Sequence, residues 1–334
     1  GRRIVLVVGS IGMTIALLLH GLAFDFTSLL FARFLAGSCS GLLSGASIAY
    51  IGDAFPFERR GFANGVLASA FAAGQIFGIP AGAFMGEISV QIPFVAFGAF
   101  TGIAATLIFV FVSQPDVELT KRLSVGSAIQ GYVSLLKRRA PAASVVAYTL
   151  MFLGVSLFIT YLPTELSNRF DVSATQVATL FMVGGVANMI VGPLAGALSD
   201  RVGRKVLVVG GSTCMGLLLA ATPWMLPVFW AAYPLFFIVM VFVALRISPM
   251  QALVTSLVPA KERGSLLALD FAIGQVGFGM GSLIAGVLYT QLGFWSTALA
   301  GGLLAALMAV VVGLFIPEPT EDLDNPEKPE PAAA

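Results

Sequence analysis

Long apolar runs separated by short polar segments make up most of this chain. Each run is about 20 residues long, which at a helical rise of about 1.5 Å per residue crosses roughly 30 Å of hydrocarbon. The runs are unbroken mixtures of Leu, Ala, Gly and Phe rather than alternating strands, so they predict helices and not a membrane barrel. The ten predicted spans are approximately 4–24, 28–51, 63–85, 93–113, 141–163, 174–198, 205–223, 233–257, 264–288 and 296–316.

The composition narrows the class to a multi-pass membrane protein. Hydrophobic residues make up 58% of the 334 residues and charged residues only 10%, whereas about a quarter of an ordinary soluble domain is charged. A net charge of +1 argues against a nucleic-acid partner. The single histidine, His20, cannot form a metal site alone, and Cys39 and Cys214 lie in apolar runs. We expect no metal, no cofactor and no disulfide framework.

The basic residues predict the orientation of the spans. If the chain start, the loop 114–140 and the tail 317–334 are cytoplasmic, every Lys and Arg except three lies on that side. The three exceptions are Arg169 in an opposite loop and Arg33 and Arg246 inside spans. This bias is the positive-inside pattern, so we expect the chain start, the loop 114–140 and the tail 317–334 to face the cytoplasm.

The loop 114–140 and the tail 317–334 are the two long polar segments. In the loop, apolar residues recur at helical spacing beside a basic cluster, which predicts an amphipathic helix along the inner membrane face. The tail is acidic and proline-rich, so we expect it to be disordered. The predicted organisation is a bundle over 1–113, a cytoplasmic linker over 114–140, a second bundle over 141–316 and the tail.

An internal repeat relates the two bundles. Glu58–Gly61 followed by Phe71–Gln75 is echoed by Glu262–Gly264 followed by Phe271–Gln275. Each pair joins a loop to the same side of the span that follows it. The two halves of the chain are therefore related, with the long loop between them.

Two motifs resemble the major facilitator superfamily. Gly196–Lys205, with the sequence GALSDRVGRK, is similar to its G-x-L-x-D-R-x-G-R-K loop, and Arg33–Gly37 is similar to its R-x-x-x-G motif. The resemblance covers about residues 1–316 and is greatest to bacterial drug and sugar efflux permeases of the drug/proton antiporter branch. It implies an all-α, pseudo-symmetric fold of two six-helix bundles, with ten of twelve helices in this chain. We expect the first two helices to precede Gly1, so the chain is treated as a fragment. The alternative is a protein with ten spans.

Small residues mark the third predicted span. Gly74, Gly78 and Gly82 recur every fourth residue, with Pro80 among them. Such spacing gives one flat helix face, which serves either static packing or a rocking interface between bundles. The antiporter branch carries a glycine-proline motif here, whereas Ile79 separates Gly78 from Pro80 in this chain.

Three charged residues fall inside predicted spans and are functional candidates, because a charge in the membrane costs about 3 kcal/mol on insertion scales. They are Arg33, Arg246 and Asp270. By helical rise, Arg246 and Asp270 differ by about 8 Å in depth, which leaves open either a structural ion pair or an Arg246 that faces substrate. Asp270 is the candidate for proton coupling. Further polar residues that either line the cavity or join helices are Gln75, Asn188, Gln275, Tyr161 and Gln251.

The resemblance implies a cytoplasmic gate. Asp200 is expected to dock at the start of the third span, with the basic residues of its loop pairing Glu58 or helix C-terminal carbonyls. The alternative is that these charges only set the topology. The predicted gate residues are Asp200, Arg201, Gly203, Arg204, Lys205, Glu58 and Arg60.

Together these features predict a secondary active transporter that exports small amphipathic molecules or sugars in exchange for protons by alternating access. No G-x-x-x-x-G-K-[ST] motif occurs, so the energy is expected to come from a gradient. The alternatives are an uptake symporter or facilitator for a polar or anionic solute, and a non-transporting sensor or scaffold. An enzyme is disfavoured. The expected partners are a small-molecule substrate, protons and membrane lipid, and the protein is expected to be a monomer.

Overall fold

The computed structural model describes residues 2–55, 63, 66–67, 70, 73–114 and 125–318. Within these residues every regular element is helical. A π-helix covers Gly74–Gly78 and a 3-10 turn covers Phe229–Ala231. The α-helices are α1 (Arg2–Gly21), α2 (Phe26–Ala54), α3 (Ile79–Ile88), α4 (Ile92–Phe111), α5 (Val125–Leu136), α6 (Arg139–Ile159), α7 (Leu162–Phe170), α8 (Ala174–Val202), α9 (Arg204–Met225), α10 (Ala232–Thr255), α11 (Ala260–Leu292) and α12 (Phe294–Phe315).

Nine stretches of the described chain are long and apolar enough to cross a membrane. They correspond to nine of the ten predicted spans. The remaining prediction, 63–85, lies partly outside the described residues, and its described second half is helical from Gly74 to Ile88. The prediction of an all-α multi-pass membrane protein is confirmed.

The outer faces of these helices are apolar. On α12, for example, the exposed side chains include Leu303, Leu307, Val310 and Leu314. In water such a surface would be an aggregation hazard, whereas in a bilayer it faces acyl chains of the same polarity. Packing, rather than the exclusion of apolar side chains from water, must therefore hold the helices together.

The described chain divides into two compact units. The first contains α1 to α4 and Ala174–Met182 at the start of α8, and the second contains the remainder. In the first unit α1 packs against both α2 and α4. Gly98 of α4 faces Leu18 of α1. A Cβ on Gly98 would lie 3.1 Å from a Leu18 methyl carbon, so the missing side chain lets the two helices approach closely. Thr14 and Thr101 add a hydroxyl hydrogen bond of 3.2 Å between the same helices.

A π-helix interrupts the third predicted span. The N–H of Ile79 donates to the carbonyl of Gly74, five residues earlier, and Pro80 follows immediately. Proline has no N–H to donate to the preceding turn, so the ladder of hydrogen bonds must change near it. Widened turns of this kind often occur at functional sites.

In the second unit α12 packs against both α6 and α9, and α6 also packs against α11. Two pairs of glycines allow this. A Cβ on Gly301 would lie 2.8 Å from the Gly154 carbonyl oxygen, and a Cβ on Gly302 would lie 2.5 Å from that of Gly216. The helix backbones therefore touch on both sides of α12, which is how small residues bring helices together in membranes.

Helix α5 lies in the predicted linker. Leu135 is buried in the core of the second unit, while Ile129, Val133 and Leu136 are exposed. An exposed apolar stripe of this kind suits an interfacial helix, and the position of α5 on the membrane face stays a prediction. The tail beyond Glu318 lies outside the described residues, as does its expected disorder.

Candidate functional site

A fully buried carboxylate lies between α6 and α11. The Asp270 side chain has no exposed surface. The Oγ atom of Ser144, on α6, lies 3.1 Å from each of the two carboxylate oxygens. The same hydroxyl lies 2.8 Å from the carbonyl oxygen of Pro141. Because Ser144 has one hydroxyl hydrogen, it can donate to only one of these acceptors at a time.

Tyr148 lies one turn beyond Ser144 on α6. Its side chain is only 1% exposed, and its hydroxyl has no hydrogen-bond partner among the described residues. The ring packs edge-on against Phe271 at 5.3 Å between centroids and stacks against Phe152 at 6.4 Å. These aromatic rings keep the surroundings of Asp270 apolar. A buried hydroxyl without a hydrogen-bond partner costs free energy, so Tyr148 is an unusual polar group in this helix contact.

This arrangement accommodates a neutral acid. A protonated Asp270 can donate to Ser144 Oγ while Ser144 keeps its bond to Pro141. An ionised Asp270 would have the Ser144 hydroxyl as its one donor within the described chain. Since a buried charge normally requires a counter-ion or several donors, these contacts suit the protonated acid better than the ionised one.

Arg246 does not pair with Asp270. Its side chain, on α10, is 1% exposed and points towards α12, where Nη1 lies 3.8 Å from Met308 Sδ. Ser212 on α9 donates to the same sulfur at 3.6 Å. The Arg246 Nε has no partner in the described chain. The ion pair that the sequence left open is absent, and Arg246 is a buried cation between helices of the second unit.

The other predicted cavity residues have different surroundings. Arg33 is exposed on α2, with its guanidinium carbon 6.0 Å from the centroid of the Phe94 ring. Tyr161 stacks on Tyr289 at 4.6 Å. Asn188 donates to Met240 Sδ at 3.9 Å. Gln275 is exposed, whereas Gln75 and Gln251 are half-buried. Arg33 and Gln75 belong to the first unit and the others to the second.

The loop motif at 196–205 forms a tight junction between α8 and α9. Gly203 has φ +105°, a value that side chains other than glycine rarely adopt. Arg204 Nη1 donates to the carbonyl of Ala252 in the last turn of α10 at 3.4 Å. The backbone N–H of Lys205 donates to Glu318 Oε1 at 3.4 Å. A carboxylate thus caps the start of α9, where the helix dipole favours negative charge.

The structure shows fewer contacts for the remaining gate and packing candidates. Glu58 and Arg60 lie outside the described residues, as does the side chain of Asp200, and Arg201 is exposed. A Cβ on Gly74 or Gly78 would meet no described atom within 4 Å, and one on Gly82 would contact Phe97 at 3.4 Å. The sliding interface and the docking of Asp200 stay predictions.

A further ionic contact joins the linker to α11. Arg138 Nη1 and Nη2 donate to the two carboxylate oxygens of Glu262 at 2.8 and 3.4 Å. Arg138 immediately precedes α6, and Glu262 is in the first turn of α11. The pair joins the N-terminal ends of α6 and α11, the two helices that meet at Asp270.

Comparison with known proteins decides the family. The family model described as "Major Facilitator Superfamily" matches residues 1–244 and 144–334. The chain belongs to the major facilitator superfamily. The resemblance found in the sequence motifs is thereby confirmed.

Members of the superfamily from bacteria are similar to the chain in sequence. An uncharacterized MFS-type transporter, YceJ of Bacillus subtilis (strain 168), is 25% identical over 55% of this chain and 46% of its own length. Multidrug resistance protein 1 of the same organism is 29% identical over 53% and 44%. Multidrug resistance protein MdtG of Salmonella typhi is 25% identical over 68% and 58%. The chain spans about half the length of the curated relatives it matches.

A solved structure shares the fold. The crystal structure of a D-xylose-proton symporter superposes with a TM-score of 0.75, covering 95% of this chain and 82% of that one, at 19% sequence identity. The major-facilitator fold predicted from the motifs is therefore confirmed for this chain.

Three polar residues that form contacts in this structure were not predicted from the sequence. Ser144 and Tyr148 carry no motif, and the partner of Ser144 is 126 residues away. Glu318 falls in the segment whose composition predicts a disordered tail. A hydroxyl among apolar residues near the start of a predicted span was the one available signal for Ser144.

Proposed function

We propose that this protein is a secondary active transporter that exports small amphipathic molecules or sugars in exchange for protons by alternating access. The observation that carries the proposal is Asp270, a carboxylate with no exposed surface inside a membrane span. Its hydrogen-bond partner is a single hydroxyl on a neighbouring helix. A membrane helix tolerates such a group when it has a proton-carrying role.

Asp270 couples protonation to helix packing in this proposal. The protonated acid lies in the dry contact between α6 and α11 and donates to Ser144. Loss of the proton creates a negative charge, and burying that charge among apolar side chains is unfavourable. The charge is relieved when the α6–α11 contact loosens and admits water. Proton binding would thus favour one packing of the second bundle and proton release another.

Two relatives support the cargo class. Both are named multidrug resistance proteins and are 29% and 25% identical to this chain. Export of amphipathic molecules is therefore the first hypothesis for this protein. We place it as a monomer in the bacterial inner membrane, with the start of the chain, the linker and the C-terminus cytoplasmic. The two bundles and the linker keep the boundaries predicted from the sequence.

The loop 196–205 would act as the cytoplasmic latch. The contacts of Arg204 with the end of α10 and of Lys205 with Glu318 support a fixed junction at this loop. Asp200→Asn is expected to lower the transport rate and leave membrane insertion intact. Rates equal to those of the unchanged protein would contradict the latch.

The test uses proteoliposomes that enclose a pH-sensitive dye, with no gradient imposed. Ethidium is added as an amphipathic probe and D-xylose as a sugar probe. Exchange makes the lumen alkaline as substrate enters, whereas symport makes it acidic. Asp270→Asn should abolish the pH change. Asp171→Asn is the matched control, because Asp171 lies at the exposed end of α7 with φ 52°, a conformation that Asn also adopts.

Uptake of an anionic solute is the second candidate. The buried Arg246, with no acid beside it in the described chain, favours this function because its charge lacks a counter-ion. Acidification of the lumen on addition of D-xylose would favour uptake of a polar solute by symport over export. An unchanged pH response in Asp270→Asn would remove Asp270 from coupling in either case.

A further inference from the structure

A pocket of about 400 Å³ opens where α1 ends and α2 and α4 begin. All its lining residues belong to the first unit. The polar members are His20, Asp25, Arg33 and Gln91, and the aromatic ones are Phe24, Phe26 and Phe94. Its volume lies within the range of about 300–1,000 Å³ that small-molecule sites occupy.

An arginine with free donors is the main charge in this pocket. The guanidinium carbon of Arg33 lies 6.0 Å from the centroid of the Phe94 ring, which provides a weak cation–π contact. It has no hydrogen-bond or ion-pair partner among the described residues. Its five N–H donors, in their planar fork, are therefore available to an external acceptor.

The nearby carboxylate does not neutralise Arg33. Asp25 is the N-cap of α2, where its side chain accepts a 2.7 Å hydrogen bond from the backbone N–H of Ser28. Hydrogen bonds with Ser28 hold the pKa of Asp25 below its usual value, so it is ionised at neutral pH. Its negative charge faces the free amides and positive dipole end of α2. No described residue forms an ion pair with Arg33.

His20 contacts the Phe94 ring as well. It stacks on Phe94 with 5.1 Å between ring centroids and 21° between planes. His20 Nδ1 lies 2.7 Å from the Ala16 carbonyl oxygen, so Nδ1 carries a hydrogen. The other ring nitrogen, Nε2, is buried and has no partner in the described chain. A ligand that displaces Phe94 or Arg33 would be sensed by this ring.

We propose that the pocket binds a small organic monoanion with an apolar body. The carboxylate, or an equivalent oxyanion, forms paired hydrogen bonds with Arg33, and the apolar body lies against Phe26 and Phe94. This inference deepens the proposed transport function and rests on it only for the claim that the ligand is cargo. Binding itself is an equilibrium property of the first unit.

The test uses the chain's only histidine as a reporter. The protein is purified without a polyhistidine tag, its histidine is isotope-labelled, and the His20 ring signals are followed by NMR at constant pH. Benzoate is the probe, and benzamide and benzylamine are the neutral and cationic analogues of similar shape. Benzoate is expected to shift the His20 signals along a saturating curve, with affinity at least tenfold above that of either analogue.

Variants then assign the binding to Arg33. Arg33→Gln should lower the benzoate affinity at least tenfold, and Arg33→Lys should lie between, because a lysine keeps the charge and loses the fork. Arg169→Gln is the matched control, since Arg169 also lies beside an aromatic ring, 5.4 Å from the centroid of Phe170. Its benzoate affinity should equal that of the unchanged protein.

Three results would overturn the proposal: no saturable shift of His20, equal affinity for benzoate and benzamide, or undiminished binding by Arg33→Gln. The first two use the unchanged protein, so they do not depend on how a variant folds. If the unchanged protein shows no saturable benzoate binding but intact proton exchange in proteoliposomes, the anion pocket alone is rejected. Intact binding without proton exchange would reject the transport function alone.

Discussion

The hydroxyl of Ser144 lies 3.1 Å from both carboxylate oxygens of Asp270. This contact joins the N-terminal third of α6 to that of α11, and both residues have no exposed surface. A second hydroxyl contact joins the same helices farther along, where Ser156 donates to the carbonyl of Phe278 at 2.7 Å. The two contacts differ in chemistry, because only the first involves a group that can gain and lose a proton.

Replacing Ser144 should therefore affect coupling as well as stability. We expect Ser144→Ala and Ser156→Ala each to lower the free energy of unfolding by about 1 kcal/mol through loss of a buried hydrogen bond. Only Ser144→Ala should also reduce substrate-driven proton movement, by about tenfold. The measurements are thermal unfolding in detergent and lumen pH in proteoliposomes. Equal proton movement by the two variants would reduce Ser144 to a packing role.

Arg246 offers a test of function against stability. A buried cation can often be replaced by an apolar residue of similar volume without loss of stability, and sometimes with a gain of about 1–4 kcal/mol. Arg246→Met should therefore fold as well as the unchanged protein and fail to transport. Arg246→Lys should recover little activity, because a lysine lacks the planar fork of donors. Normal transport by Arg246→Met would show that the guanidinium has no part in it.

Contact between α9 and α12 should depend on the absence of a side chain at Gly302. A Cβ there would lie 2.5 Å from the Gly216 carbonyl oxygen, so Gly302→Ala should force the helices apart and cost about 1–3 kcal/mol. Gly279→Ala is the control, since a Cβ at that position meets no described atom within 4 Å. The control should raise stability by up to about 1 kcal/mol, because alanine favours a helix. Similar melting temperatures for both variants would argue against this close contact.

The junction between α8 and α9 should require glycine at position 203. With φ +105°, Gly203→Ala would strain the backbone by about 1–3 kcal/mol, and its Cβ would lie 3.2 Å from Glu318 Oε1. We expect a lower melting temperature and a slower transport rate. Gly210→Ala, on the open side of α9, should not lower the melting temperature and should leave the transport rate unchanged. If Gly203→Ala transported at the normal rate, the loop geometry would not limit the cycle.

Much of the fold follows from local sequence. A run of about 20 apolar residues must form a helix in a bilayer, because no water is present to satisfy its backbone. Nine of the predicted spans therefore match described helices. The loop motif is equally local, since the glycine at position 203 is where a tight turn between two helices needs a positive φ. These features, and family membership, were available from the residues alone.

The partners of the buried polar groups could not be predicted from the sequence. Counting residues along a helix gives the depth of Arg246 and Asp270 but not the direction in which each side chain points. That is why their pairing was left open, while the structure turns Arg246 towards Met308 and Asp270 towards Ser144. In a soluble helix an apolar stripe would reveal the inner face. In a membrane, lipid and protein interior are equally apolar, so the sequence determined the spans and only the tertiary structure decided which faces meet.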